Sequence, residues 1–225
     1  MADISMGDGA VPTGALVLGM ALLPFALVML TCFTKLVVVL SLLRHALGVP
    51  SVPPNVVVTG LALALTGFVL APLGSEIAGA VAPALESRAD SSSRRQADEA
   101  IVAEVIDRAR EPVRRFLAQQ TRAGDRAMFA AVARDLGWAG EPSGQGDFAV
   151  LIPAFLTSEL HSAFAAAFLL FLPFLVIDLV VASTLLALGM STMSPTAVSL
   201  PLKLLLFVLA DGWQLVARGL ALGYA

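Results

Sequence analysis

From Gly9 to Thr34 the chain carries no charge, and beyond Lys35 the apolar run resumes through Leu43. A membrane-spanning helix needs only about 20 residues. The run is therefore expected to be tilted, kinked near Pro24, or to extend past the bilayer. A second charge-free stretch runs from Ala46 to Ser75. Its opening, Val49-Pro50-Ser51-Val52-Pro53-Pro54-Asn55, predicts a turn, because proline lacks an amide donor and disfavours helix before it. The helix proper is then expected over about Val56 to Ala71, and the two stretches make one helical hairpin.

Composition agrees. The chain is 58% hydrophobic and 14% charged, with a mean hydropathy of +0.87, whereas soluble domains run near ~45–50% apolar and ~25% charged. One small globule cannot hide so much apolar surface. Lipid or partner subunits must cover the rest. The net charge of −3 leaves no basic stripe for nucleic acid. The single cysteine, Cys32, excludes an internal disulfide and lies in an apolar run where plain packing is its ordinary role. The start, Met1-Ala-Asp-Ile-Ser, carries acid where a secretory leader would carry Lys or Arg, so the first apolar segment is expected to be retained.

Character changes at Glu76. Residues 76–147 hold ten arginines and twelve acids, and thus ten of the chain's fourteen basic residues. This insert is expected to face water or a polar protein interface. Ile101, Val102, Val105, Ile106, Ala109, Val113, Phe116 and Leu117 recur at three- and four-residue steps, which predicts a helix. Pro112 is expected to end or kink it, and Gly137 to Gly146 reads as a loop.

A third apolar region runs from Phe148 to Gly189 with Glu159, His161 and Asp178 as its only ionisable residues. Gly189-Met-Ser-Thr-Met-Ser-Pro195 breaks it, and a fourth region follows from Thr196 to Ala225. The expected architecture is an all-α membrane protein: two long kinked helical hairpins, residues 1–75 and 148–225, flank a polar helical insert at 76–147, with a methionine-containing turn at 189–195. Asp3 and Asp8 precede the first segment while Lys35 and Arg44 lie towards its far end. The positive-inside bias puts the Arg44 turn in the cytoplasm and the insert outside.

Catalytic motifs are missing. Lys35 and Lys203 follow Thr34 and Leu202, so no Walker A loop exists, and His45 and His161 are too far apart for a His-Glu-x-x-His zinc site. No Gly-x-Ser-x-Gly elbow occurs. The sequence points to no cofactor, no metal and no enzyme.

Glu159, Asp178, Lys203 and Asp211 are the candidate polar assembly or pore residues, each embedded in apolar sequence. A charge at the centre of a spanning helix costs roughly 2.5–3.5 kcal/mol, so three facing lipid would forfeit on the order of 8–10 kcal/mol. They are expected to be paired, hydrated or buried against another chain. Asp178 and Lys203 are equidistant from the 190/191 junction, so a hairpin closing there brings them within about a turn. That pair reads as glue within one subunit, as a contact between subunits, or as lining of an aqueous path. Ser162, Ala163, Ala166 and Ala167 place small residues four apart, which lets membrane helices approach closely, unless the helix merely favours alanine. Met190 and Met193 flank the polar break. Methionine is flexible and suits a surface that seals and then yields, though two methionines in a turn are also ordinary packing.

Several of these stretches together carry a family resemblance. Phe33-Thr34-Lys35-Leu-Val-Val-Val-Leu-Ser-Leu-Leu-Arg44-His45-Ala-Leu-Gly48, Pro53-Pro54-Asn55 and Gly60-Leu-Ala-Leu resemble the N-terminal signature of the FliP/SctR family. Pro112-Val-Arg-Arg-Phe116, Thr121-Arg122 and Asp125 match it further. The longest matches are Ile152-Pro-Ala-Phe-Leu-Thr-Ser-Glu159-Leu, Phe171 through Ser183, Ser194-Pro195, and Ser199-Leu-Pro201-Leu-Lys203 through Trp213. The resemblance implies an inner-membrane subunit of the type III secretion or flagellar export apparatus. Family members form a pentameric helical ring with FliQ/SctS and FliR/SctT subunits, lifted towards the periplasm, alongside export-gate and switch subunits. Unfolded substrate proteins pass through that ring. The family carries a methionine cluster in the 189–195 loop that gaskets the pore; Met190 matches it, Ser191 and Thr192 stand where further methionines usually lie, and Met193 follows. Ser194-Pro195 and Ser199-Leu-Pro201 are similar to the secretion branch. A flagellar export subunit is the alternative, ahead of a small-solute or ion transporter or a scaffold that never touches substrate.

Overall fold

The computed structural model describes residues 21, 25, 28–89, 94–137 and 147–224. The kink expected at Pro24 lies outside the described residues, as does the expected loop from residue 138 to Gly146. Among the described residues there are seven full helices and no strand. They are α1 (Phe33–Ala46), α2 (Asn55–Ala89), α3 (Arg94–Gln120), α4 (Ala123–Asp135), α5 (Phe148–Ala187), α6 (Pro195–Leu209) and α7 (Gly212–Leu222). The chain is an all-α membrane protein.

Length follows from where the chain offers a stop. α5 starts at Asp147, whose side chain accepts the Ala149 amide at 3.1 Å, the standard satisfaction of an orphan helix donor. It runs for 40 residues, about 60 Å at ~1.5 Å per residue and thus roughly twice the ~30 Å hydrocarbon core. Gly189 ends it with φ +73°. The Gly189 amide donates to Leu186 O and the Met190 amide to Leu185 O, which satisfies the last carbonyls and needs the left-handed conformation that glycine takes without cost. Gly48 closes α1 the same way.

Two expectations about helix limits change. The helix read as Val56 to Ala71 runs to Ala89, straight through Pro72 and Pro83. Pro112 likewise lies inside α3. Each proline removes one hydrogen bond without ending the helix, a tolerance seen in membrane helices where side chains re-satisfy freed groups. Conversely, the fourth apolar region is not one helix. It breaks at Ala210 and Asp211, where Asp211 takes φ 48°, and α7 departs from α6 by 62°.

The core forms around α1, which packs on α5 and α2. Leu36, Val39, Leu40 and Leu43 join Ala163, Phe174, Phe207 and Leu220 in one buried cluster. Burial of one such side chain contributes about 1.5–3 kcal/mol. α3 and α4 cover the N-terminal half of α5, where Phe116 and Phe155 rings lie 6.0 Å apart. α3 also lies on the far half of α2, tied by Arg115 Nη1 to Glu76 Oε1 at 2.6 Å. The C-terminal half of α5 has much less cover: Phe168, Leu169, Val176, Leu179, Val180 and Leu186 are all exposed. α2 over Asn55–Pro83 and α5 are long and apolar enough to cross a membrane, and α6 with α7 forms a third candidate if the bent pair is one span.

Candidate functional site

The polar groups embedded in the apolar helices gather into two buried clusters. The first joins α5, α6 and the end of α1. Lys203 Nζ donates to Asp178 Oδ2 at 2.6 Å and to the Ala46 carbonyl at 3.1 Å. Ser199 Oγ donates to Asp178 Oδ1 at 2.6 Å. Position explains chemistry here: Ala46 is in the last turn of α1, whose carbonyls carry the negative end of the helix dipole and welcome a cation. Lys203 is 4% exposed, so its ammonium relies wholly on these acceptors. Asp178 is less enclosed, with 39% of its side chain exposed.

The second cluster lies where α1 and α5 meet the segment after α7. Glu159 is 2% exposed, and the Tyr224 hydroxyl donates to its Oε2. Lys35 Nζ lies 4.1 Å from the centre of the Tyr224 ring. A buried carboxylate demands such partners, and the tyrosine supplies a donor with an apolar body.

A third set of contacts fixes the insert on α5. Ser158 Oγ accepts the Arg122 amide at 3.0 Å and donates to Asp125 Oδ2 at 2.5 Å. Arg122 is the N-cap of α4 and offers no capping side chain of its own, so Ser158 performs the cap from another helix. At the first turn, Arg44 Nη1 donates to Pro53 O at 3.0 Å and Asn55 Oδ1 at 2.7 Å.

Of the residues singled out from sequence, Asp178 and Lys203 are thus in contact within one chain. Glu159 is separate from them and buried. Asp211 is exposed at the α6–α7 bend. Met190 and Met193 stand on the hairpin apex, 41% and 43% exposed, with the Met193 amide donating to Met190 O at 3.2 Å. Ala163 is fully buried in the core around α1 and Ala167 is buried beside it, while Ser162 and Ala166 are half-buried. The small-residue stripe therefore seats α1 on α5 inside the chain. Sequence reasoning missed Ser199, Tyr224 and the Ala46 carbonyl. Ser199 precedes Lys203 by one turn, a spacing that flags a shared face. Tyr224 belongs to no periodic pattern, and the carbonyl's availability is set only by where α1 stops.

Comparison with known proteins gives one consistent answer. The FliP family model matches residues 16–220. The chain is 45% identical over 211 residues to a pathogenicity-related ORF2 product of Xanthomonas campestris pv. glycines, covering 92% of this chain and 94% of that one. It is 46% identical over 217 residues to the flagellar biosynthetic protein FliP of Pectobacterium carotovorum, covering 94% and 78%. It is 44% identical over 207 residues to the hypersensitivity response secretion protein HrcR of Ralstonia nicotianae, covering 91% and 92%.

Proposed function

The chain belongs to the FliP family, and from that premise we propose that it is a core subunit of a type III secretion export gate in the bacterial inner membrane. Several copies, five by resemblance, assemble with FliQ/SctS-like and FliR/SctT-like subunits around a passage for unfolded proteins. The family makes the chain a membrane component of a multi-subunit export apparatus. The finer reading draws its main support from one observation. The embedded charges Asp178, Lys203 and Glu159 are met inside the chain, while apolar faces of α5 and α6 are left uncovered among the described residues. A monomer in water rarely exposes contiguous apolar patches beyond ~300–600 Å². Lipid on one side and sister chains on the other account for such faces.

The polar insert, with α3 and α4, projects to the periplasmic side, and the Arg44 turn faces the cytoplasm. Met190 and Met193 at the apex of the α5–α6 hairpin supply the seal of the closed pore, with apolar residues of partner chains completing it. Flagellar relatives are as similar to the chain as secretion relatives, so a flagellar export subunit is the second reading.

The test is replacement. The chain is expressed in place of the resident FliP-family subunit, once in a strain with a type III secretion system and once in a flagellated strain. Restored export of secretion substrates in the first strain is the expected result. Restored motility without secretion selects the flagellar reading. Membrane-inserted protein that restores neither contradicts both.

A further inference from the structure

The α6–α7 bend and the last helix hold two opposite charges, Asp211 and Arg218, that have no partner among the described residues. α7 buries one face through Gly212, Val216 and Leu220. The opposite seam runs Asp211, Leu215, Arg218, Leu222, at steps of four, three and four, and all four are exposed. Among the described residues neither Asp211 nor Arg218 has a side-chain hydrogen bond or ion pair, and Asp211 does not cap α7. This contrasts with Lys203 and Glu159, which are matched within the chain. Both free charges lie in an otherwise apolar segment that passes, with α6, as a candidate span. Charge facing lipid at such depth is expensive, and intramembrane ions pair with one another. An acid at the first turn and a base two turns later let each charge of one copy meet its opposite on a neighbouring copy.

Geometry narrows the arrangement. The 62° bend inclines α7 relative to α6. With α6 running along the axis of a closed ring, that bend lays α7 steeply across it, an orientation in which the first turn of one copy can lie beside the later turns of the next. Head-to-tail contacts close into rings and do not need a two-fold axis. Resting on the export-gate reading above, we propose that the α7 seam is an interface between neighbouring copies of this chain, in which Asp211 of one copy pairs with Arg218 of the next. Leu215, between the two charges, and Leu222, one turn beyond Arg218, provide the apolar contact. The pair fixes which ends of adjacent copies meet, a registry role that polar groups at helix interfaces perform elsewhere.

The test uses two differently tagged copies of the full chain, coexpressed with the sister export subunits. One carries Asp211→Cys and the other Arg218→Cys, and membranes are treated with a short bis-maleimide. The native Cys32 is buried, and parental chains serve as its control. A crosslinked species bearing both tags, absent when both copies carry the same substitution, is the expected result. In parallel, Asp211→Asn, which keeps a residue tolerant of the left-handed backbone, and Arg218→Gln each lower the multi-copy fraction severalfold by native mass spectrometry. Asp211→Arg with Arg218→Asp recovers it. If 211–211 or 218–218 crosslinks dominate, or a multi-copy assembly forms with no 211–218 crosslink, the interface is wrong while the export-gate reading stands. Crosslinks only to a different subunit, or loss of assembly that tracks anionic lipid content instead of the charge pair, also overturn it. A chain that stays single-copy overturns both.

Discussion

Lys203 Nζ reaches Asp178 Oδ2 at 2.6 Å across the α5–α6 hairpin while also donating to the carbonyl of Ala46 at the end of α1. One ammonium therefore ties the α5–α6 hairpin to α1, which is distant in sequence. The two partners differ in enclosure, since the lysine is buried and the aspartate's side chain is 39% exposed. That asymmetry sets the first expectation. Asp178→Asn strands a buried cation and lowers stability in detergent by about 2 kcal/mol, less than the ~3–5 kcal/mol for fully enclosed pairs because the acid is partly solvated. Lys203→Met costs less, because the remaining aspartate can find solvent. Thermal unfolding of the purified chain checks the order, and equal or reversed losses would refute it.

Reversing the pair probes direct contact. Asp178→Lys abolishes assembly by setting two ammonium groups against each other, and adding Lys203→Asp restores it in part. Restoration is incomplete because an aspartate at 203 meets the Ala46 carbonyl, an acceptor, where the lysine donated. The readout is the assembled fraction on a native gel. A double variant no better than either single one would rule direct pairing out.

Tyr224→Phe removes the one hydroxyl donor to Glu159 among the described residues, a carboxylate that is 2% exposed. Leaving a buried acceptor unsatisfied costs about 1–3 kcal/mol. Glu159→Gln in the same background returns part of that loss, since the neutral amide needs less. A double-mutant cycle on unfolding free energies measures the coupling. A coupling of zero would mean that the hydroxyl and the carboxylate are independent.

Gly212→Ala is expected to disrupt the bend between α6 and α7. A Cβ there would overlap the Phe207 ring, which is itself held edge-on against Trp213 with centroids 5.3 Å apart. Overpacking of this kind costs typically ~1–3 kcal/mol. Pairing it with Phe207→Ala relieves the clash. A lowered unfolding temperature rescued by the second change is the expected pattern, and a neutral Gly212→Ala would show that α7 moves freely about the bend.

Met190→Ala with Met193→Ala removes both thioether side chains from the hairpin apex. The closed assembly then leaks small ions, seen as raised membrane conductance with export otherwise intact. Unchanged conductance in a fully assembled complex would sink the seal assigned to them.

Much of this was legible in the residues. Asp178 and Lys203 were predictable partners because a hairpin closing at the Gly189–Pro195 turn pairs positions symmetric about it. The stripe of Ser162, Ala163, Ala166 and Ala167 announced a close helix contact, yet spacing alone cannot say whose helix fills it; α1 of the same chain does. The helix expected to stop at about Ala71 continues through Pro72, and Pro112, expected to end or kink its helix, does not end it. A proline states that one amide is missing, while helix continuation depends on what else supports the segment, such as the Arg115–Glu76 bridge that pairs α3 with α2. The break at Asp211 was hidden by unbroken apolar sequence on both sides. Tyr224 gave no local signal, because a single aromatic near a helix end acquires meaning only when the fold brings Glu159 and Lys35 beside it.

The most direct measurement places a photocrosslinking residue at position 190 of an assembled apparatus in which an export substrate is stalled midway. The account predicts an adduct between this chain and the stalled polypeptide, dependent on active export. Adducts confined to neighbouring subunits, in an apparatus shown to hold substrate, would make the chain a scaffold beside the passage and contradict the account.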